Sequence, residues 1–377
     1  MKFNLAQNTV QKDDLDALAD WIKTYPKLTM GNLTEEFEKE VAQWVGRKYA
    51  IFVNSGSSAN LLMAYALKVS NKLKNQKVIV PDVGWVTTVA PFIQFGFEPI
   101  MCRTESENFG MDLEHLEELC VKHNPGTVIF VQPLGALVNK DRLNALKMKY
   151  GFFLLEDGCA AVGSDYLDGT KVGNVGDMSS WSMFFGHQIC SCAEGGVIFT
   201  DSKDLFNILI SIRSHGWLRN NDKDFYDGVF DLYGVDKFNQ PFFFLYPGLN
   251  VRNTDFAAFV ALRQIKKLDS FAEIRNKNHR RYMENLKGYF GFQSCNFNKT
   301  ISSISFALVA KDNAERKKIV TNLNENGIEN RLYSAGALKN HPFWFNRFGF
   351  ENLNETKYAE RYDEYGHLFL KDYVGDS

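Results

Sequence analysis

The sequence predicts an α/β fold: a mostly parallel, mixed sheet flanked by helices, followed by a smaller C-terminal α+β unit. Three observations carry this. Short β-branched or aromatic runs alternate with helix-like stretches, the runs are continuously apolar, and the texture changes after Tyr246-Pro247-Gly248. Apolar runs of about five residues bounded by polar turns read as strands buried on both faces. Alternating them with helices implies parallel crossovers, with helices on both sheet faces.

The first run is Tyr49–Asn54, followed by a helix over Ser57–Lys68 and a strand over Lys77–Pro81. A helix over Asp112–His123 leads to a strand at Thr127–Val131. Another over Lys140–Tyr150 leads to a strand at Phe152–Glu156. Ser179–Met183 and Gly195–Thr200 read as two further strands of the same sheet, and Ser202–Arg213 as a helix. From Asp255 to Lys287, Phe256, Phe259, Leu262, Ile265 and Leu268 recur at helical spacing, which predicts one helix or two in series. A strand near Ser303–Val309, a helix near Asn313–Asn326 and a strand near Glu329–Tyr333 complete the smaller unit. The 377 residues exceed one ordinary core at roughly 150 residues per domain. The expected division is a large domain over residues 1–252 and a small one over 253–377.

Composition excludes several classes. With 45% hydrophobic and 23% charged residues the chain is globular, and a net charge of -2 lacks the basic excess of a nucleic-acid binder. Residues Met1–Leu18 carry Lys2, Lys12, Asp13, Asp14 and Asp16, without the apolar centre of a secretory signal. The most apolar window, Trp85–Cys102, is interrupted by Thr87, Thr88, Pro91, Gln94, Glu98 and Pro99, so no membrane span is expected. Six cysteines in a chain this long do not form a disulfide framework, and a reducing cytoplasm is the expected location.

Ligands of open α/β sheets bind at the carboxyl ends of the strands. Past the first strand, Asn54-Ser55-Gly56-Ser57-Ser58-Ala59-Asn60 runs straight into a helix, offering backbone N–H groups and a favourable dipole to a phosphate. Ordinary capping by serine is the simpler alternative. Asp157 ends another strand, Ser182 lies in Ser182-Met183-Phe184-Phe185-Gly186-His187, and Trp85 follows Pro81-Asp82-Val83-Gly84. A phosphate cradle, a lone acid and a flat aromatic at successive strand ends suit a phosphorylated pyridinium. Asp157 would keep the ring nitrogen protonated and Trp85 would stack on the ring.

These segments resemble the nucleotide-sugar aminotransferases of the aspartate-aminotransferase fold (fold type I), which use pyridoxal phosphate. Leu28-Thr29-Met30-Gly31, the Ser55–Ala59 string, Glu156-Asp157 and Glu194-Gly195-Gly196 follow that family's landmarks in order. Where the family carries its Schiff-base lysine, seven residues before Glu194, this sequence has His187, and no lysine lies between Lys171 and Lys203. With Arg213–Trp217, Tyr246–Asp255 and Leu262–Asp269, the chain resembles more narrowly the 3-dehydratases acting on 4-keto-6-deoxy sugar nucleotides.

That resemblance implies a cytoplasmic enzyme holding pyridoxamine phosphate without a covalent link, through Asp157, Ser55, Gly56, Ser57, Ser58 and Ser182, with Asn250 contributed across a homodimer. It implies His187 as the acid/base that helps remove the sugar's C3 hydroxyl, and L-glutamate as the amino donor that restores the cofactor. An imidazole suits proton transfer near neutrality. His215 is implied as a second active-site histidine, against a packing role, and Arg331 as the ligand of an anionic group of substrate or donor. A GDP-linked sugar rests on the resemblance alone. Alternatives are a related elimination or epimerisation on another nucleotide sugar, or a silent sugar-nucleotide-binding relative. Ala160 departs from the glutamine or aspartate that many relatives place near the cofactor's hydroxyl. Cys190 and Cys192 are the one close cysteine pair. A four-thiolate cluster needs four that converge, so no metal is expected.

Overall fold

The computed structural model describes residues 3–348 apart from 5, 7, 332 and 335; the end of the expected small domain, 349–377, lies outside them. In chain order the elements are α1 (Lys12–Ile22), α2 (Asn32–Val45), β1 (Tyr49–Val53), α3 (Gly56–Val69), β2 (Lys77–Pro81), α4 (Val86–Gln94), β3 (Glu98–Cys102), α5 (Leu113–His123), β4 (Thr127–Val131) and α6 (Lys140–Tyr150). Then come β5 (Phe153–Asp157), β6 (Asp165–Tyr166), β7 (Met178–Ser182), β8 (Gly196–Thr200), α7 (Lys203–Arg213), α8 (Lys223–Tyr233), α9 (Asp255–Ile265) and α10 (Leu268–Leu286). β9 (Gly291–Phe292), β10 (Asn298–Thr300), β11 (Leu308–Val309), α11 (Asn313–Glu325) and α12 (Pro342–Phe348) follow.

Seven strands form one sheet in the order β1-β8-β7-β5-β4-β2-β3. Only β8 runs against its neighbours, antiparallel to both β1 and β7; the other pairings are parallel. Residues alternate between two cores, as the period of two requires. Phe52, Phe130, Trp181 and Phe199 face one side with Phe37 of α2, while Ile51, Val53, Ile129 and Ile198 face the other with Leu62 and Met63 of α3. Both faces are therefore covered, which is why the strands read as unbroken apolar runs.

Distant segments lock this frame. Asp255 at the start of α9 accepts from the amides of Gly31 (2.8 Å) and Thr34 (3.0 Å) and from the Thr34 hydroxyl (2.7 Å), capping α2. The Arg213 guanidinium donates to the Phe52 carbonyl at 2.9 Å, and the Phe52 amide donates to Glu38 at 2.7 Å.

The structure corrects the smaller unit. The region from Asp255 onward is two helices in series, parted at Lys266 and Lys267. The strand expected over Ser303–Val309 shrinks to Leu308–Val309, because Ser303 Oγ accepts from the Ser305 amide at 3.1 Å and closes a local turn instead of a ladder. Near Glu329–Tyr333 the described residues form no strand; Ile328 makes a single bridge to Phe3.

Candidate active site

The carboxyl ends of β1, β5 and β7 and the amino end of β8 meet at one edge of the sheet. A Cβ built on Gly56 would stand 2.7 Å from Ser182 Cβ and 3.0 Å from Cys159 Sγ, so the heads of three connections touch there. One on Gly196 would stand 2.2 Å from the Ser55 carbonyl oxygen. These glycines admit the close approach that brings Ser55–Ser58, Asp157–Cys159 and Ser182 together.

Ser55 caps α3: its hydroxyl accepts from the Ser58 amide at 3.0 Å and its carbonyl from the Ala59 amide at 3.0 Å. Of the four amides a helix start leaves open, those of Gly56 and Ser57 thus remain at the tip. One turn is thus both capped by serine and left with open amides. Ser57 Oγ lies 3.0 Å from Thr87 Oγ1, joining the tips of α3 and α4.

Asp157 is 4% exposed and held from three directions. Its Oδ2 accepts from Asn60 Nδ2 at 2.8 Å and Thr88 Oγ1 at 2.7 Å, while Oδ1 accepts from the Cys159 amide at 3.2 Å. Ser180 Oγ in turn donates to Asn60 Oδ1 at 2.7 Å, fixing which way that amide faces. With Oδ2 doubly occupied, Oδ1 is the oxygen with capacity for a further donor. Glu156 points to the opposite face, accepting from Gln132 Nε2 and the amides of Gly173 and Val175. Burial pushes its pKa up to about 7, yet all its contacts are internal. Of the two adjacent acids, Asp157 belongs to the site and Glu156 to the frame.

His187 follows β7 in a turn closed by its own amide on the Phe184 carbonyl, 2.9 Å. Its Nδ1 lies 2.6 Å from the Cys159 carbonyl oxygen. A carbonyl only accepts, so Nδ1 carries the hydrogen and Nε2 presents the lone pair. Burial holds the pKa below the ordinary imidazole value. The Cys159 carbonyl and Asp157 pull upward, and the charge of Arg331 adds to the lowering. Arg331 itself is exposed.

Trp85 caps α4 and is 55% exposed. Thr88, whose amide donates to the Trp85 carbonyl at 3.0 Å, ties this ledge to Asp157. The site therefore brings together open amides at the α3 tip, a buried carboxylate with one less-occupied oxygen, an exposed aromatic face and an imidazole whose Nδ1 is held by the Cys159 carbonyl. Those parts suit a phosphorylated pyridine.

His215 and Asn250 form a separate group along the edge beyond β1. His215 has a left-handed backbone (φ 63°), its amide donates to the Leu249 carbonyl, and its ring packs edge-on to Trp217 at 4.9 Å. Its Nε2 lies 3.5 Å from Arg252 Nη2, and Arg252 Nε donates to Asn250 Oδ1 at 3.1 Å. Among the described residues neither bonds to His187 or Asp157 within one chain. Sequence reasoning missed Asn60, Thr88, Ser180 and the Cys159 carbonyl. Asn60 left a signal: a lone amide amid Ala59, Leu61, Leu62, Met63 and Ala64 of a buried helix.

The model of the DegT/DnrJ/EryC1/StrS aminotransferase family matches residues 9–365. A GDP-4-keto-6-deoxy-D-mannose 3-dehydratase of Yersinia pseudotuberculosis is 32% identical, the match covering 100% of this chain and 95% of that one. The solved structure of the Escherichia coli GDP-4-keto-6-deoxy-D-mannose-3-dehydratase with bound hydrated PLP is similar with a TM-score of 0.83 at 30% identity, over 93% of this chain and 90% of that one. A GDP-4-keto-6-deoxymannose-3-dehydratase with a trapped PLP–glutamate geminal diamine gives 0.80 at 30% identity, over 93% and 89%. By the extent of these matches, the chain belongs to the DegT/DnrJ/EryC1/StrS aminotransferase family.

Proposed function

We propose that this protein is a pyridoxal/pyridoxamine phosphate-dependent 3-dehydratase that removes the C3 hydroxyl from a nucleotide-linked 4-keto-6-deoxy sugar, GDP-4-keto-6-deoxymannose, in the cytoplasm. The observation that carries this is His187: an imidazole in the turn after β7, its Nδ1 held on the Cys159 carbonyl, within the field of Asp157. The similar 3-dehydratases supply the substrate class, and the trapped glutamate adduct of one of them supports L-glutamate as amino donor.

When bound, the cofactor supplies an amine for the C4 ketone and an electron sink. The α3 tip (Gly56 and Ser57 amides, Ser57 and Ser58 hydroxyls) and Ser182 would hold its phosphate, and Asp157 would hold its ring N–H. Trp85 covers the ring face and keeps water from it. His187 Nε2 would take the proton that the cofactor's electron sink makes acidic, and the cationic ring would deliver that proton to the oxygen leaving sugar C3 as water. Nδ1, fixed on the Cys159 carbonyl, keeps Nε2 directed into the site through both transfers. Lacking an amine that can condense with an aldehyde, residue 187 cannot anchor the cofactor, so these non-covalent contacts must hold it. Arg331 binds an anionic group of substrate or donor.

Asn250 is exposed and reaches into the site of a second copy in a homodimer, with His215 beside it as a proton partner or orienter. The exposed rings of Phe242 and Phe244 on the same connection suit such a contact. Incubation with pyridoxamine phosphate, glutamate and GDP- or CDP-linked 4-keto-6-deoxy sugars tests the reading. A 3-deoxy product with release of ammonia is expected for the GDP sugar; no product from any of them overturns it.

A further inference from the structure

His187 and the residue after it hold the turn beyond β7 in two different directions. The foot of that turn is closed by main-chain bonds: the Met183 amide donates to the Gly195 carbonyl at 2.8 Å, and the Phe185 amide to the Ala193 carbonyl at 2.9 Å. Its tip is tied by side chains. His187 Nδ1 reaches the Cys159 carbonyl, and Gln188 Nε2 donates to the Ser302 carbonyl at 2.9 Å. Gln188 and Ser302 are both fully buried. A carbonyl only accepts, so the amide nitrogen of Gln188 faces Ser302 and Oε1 is its other arm. That oxygen is enclosed and accepts no hydrogen bond among the described residues.

Ser302, just past β10, is itself a fixed post. Its amide donates to Ser164 Oγ at 2.8 Å, and Ser164 Oγ donates to the Gly135 carbonyl at 2.9 Å. The same carbonyl accepts from Asn298 Nδ2 at 2.8 Å. Ser164 and Cys159 lie on one connection, between β5 and β6, stiffened by two consecutive turns. In these the Ala161 amide donates to the Gly158 carbonyl and the Ser164 amide to the Ala161 carbonyl, both at 2.9 Å. The contacts therefore close on themselves. From Cys159 the circuit runs along the chain to Ser164, across to Ser302, across to Gln188, back one residue to His187 and across to Cys159 again. Bonds joined in such a buried network support one another.

We propose that Gln188 is a positioning residue for His187: its bond to Ser302 closes the circuit that keeps the His187 ring on the Cys159 carbonyl. Burial is the main influence lowering the His187 pKa, and the Arg331 charge adds to it; the Cys159 carbonyl, Asp157 and the Gln188 side chain pull upward. Gln188 thus steadies the ring and favours its protonated form. The consequence for turnover rests on His187 acting as the base proposed above; the consequence for the ring does not.

The test uses the full chain and two readouts: nitrogen NMR of its isotope-labelled histidine rings without cofactor, and formation of the 3-deoxy product. Gln188→Met keeps the length of the side chain and removes its donor and acceptor. Ser164→Ala opens the circuit on the far side of Ser302 without touching His187. The native His187 ring should hold the Nδ1–H form alone. In each variant the Nε2–H form should appear beside it, and in Gln188→Met the His187 pKa should fall. Turnover should drop about tenfold in Gln188→Met with KM nearly unchanged. The double variant should stay within about twofold of the slower single one, because a circuit already open is not opened twice. His187 ring signals that stay native in both variants overturn the proposal, as does a double variant whose losses multiply. Altered ring signals with native turnover overturn it too, leaving Gln188 as frame only. If Gln188→Met does not fold, the ring signals of Ser164→Ala decide. A native chain that forms no 3-deoxy product fails the dehydratase reading instead, and the ring signals then decide the positioning by themselves.

Discussion

His187 Nδ1 and the main-chain oxygen of Cys159 stand 2.6 Å apart, and that contact leaves Nε2 as the ring nitrogen for the proposed base. The same residue's amide donates to Asp157 Oδ1 at 3.2 Å. Cys159 therefore holds the His187 ring with its carbonyl and the Asp157 carboxylate with its amide, over a few bonds of backbone. Such short linkage fixes the relative placement of two groups better than side-chain packing alone can.

Replacing His187 by Asn removes the proton carrier while keeping a small polar side chain. Turnover is expected to fall about 10²- to 10⁴-fold, the usual contribution of a positioned acid/base. Binding of pyridoxamine phosphate, measured by its fluorescence, should change little.

Arg331 lowers the His187 pKa, so Arg331→Met raises it. In the proposed mechanism His187 starts neutral, so kcat/KM is expected to rise with pH through that pKa. The acid limb of the profile therefore moves to higher pH in the variant. A histidine-resolved NMR titration should show the same displacement; an acid limb moved to lower pH would contradict the assignment.

Thr88→Val keeps the shape of the α4 tip and deletes one of two donors on Asp157 Oδ2. Losing one such bond to a buried charge costs about 1–3 kcal/mol, so the affinity for pyridoxamine phosphate falls about tenfold or more. Asn60→Leu, which also strands Ser180 Oγ, should weaken binding further.

Gly56→Ala puts a methyl 2.7 Å from Ser182 Cβ. Overpacking of this kind costs about 1–3 kcal/mol, so the melting temperature falls. Serine at the same position should cost at least as much, because the obstacle is the Cβ itself and not its chemistry.

The strand runs at Lys77–Pro81 and Thr127–Val131 and the helix at Lys140–Tyr150 were legible because both sheet faces are buried and apolar content alone marks them. β3 was not: Glu98, Pro99 and a partly buried face give it an edge strand's mixed texture. Strand-end chemistry was readable at Ser55–Ser58 and Asp157, since parallel topology forces those ends to one rim. Asn60, Thr88 and Ser180 act through contacts made 69 to 120 residues apart in sequence, which no local pattern encodes.

Reduction with borohydride after loading the native chain with pyridoxal phosphate, followed by peptide mass mapping, tests most directly whether residue 187 moves protons without tethering the cofactor. The native chain should give no cofactor-modified peptide, and His187→Lys should give one, at residue 187. A reduced adduct on any lysine of the native chain would contradict it.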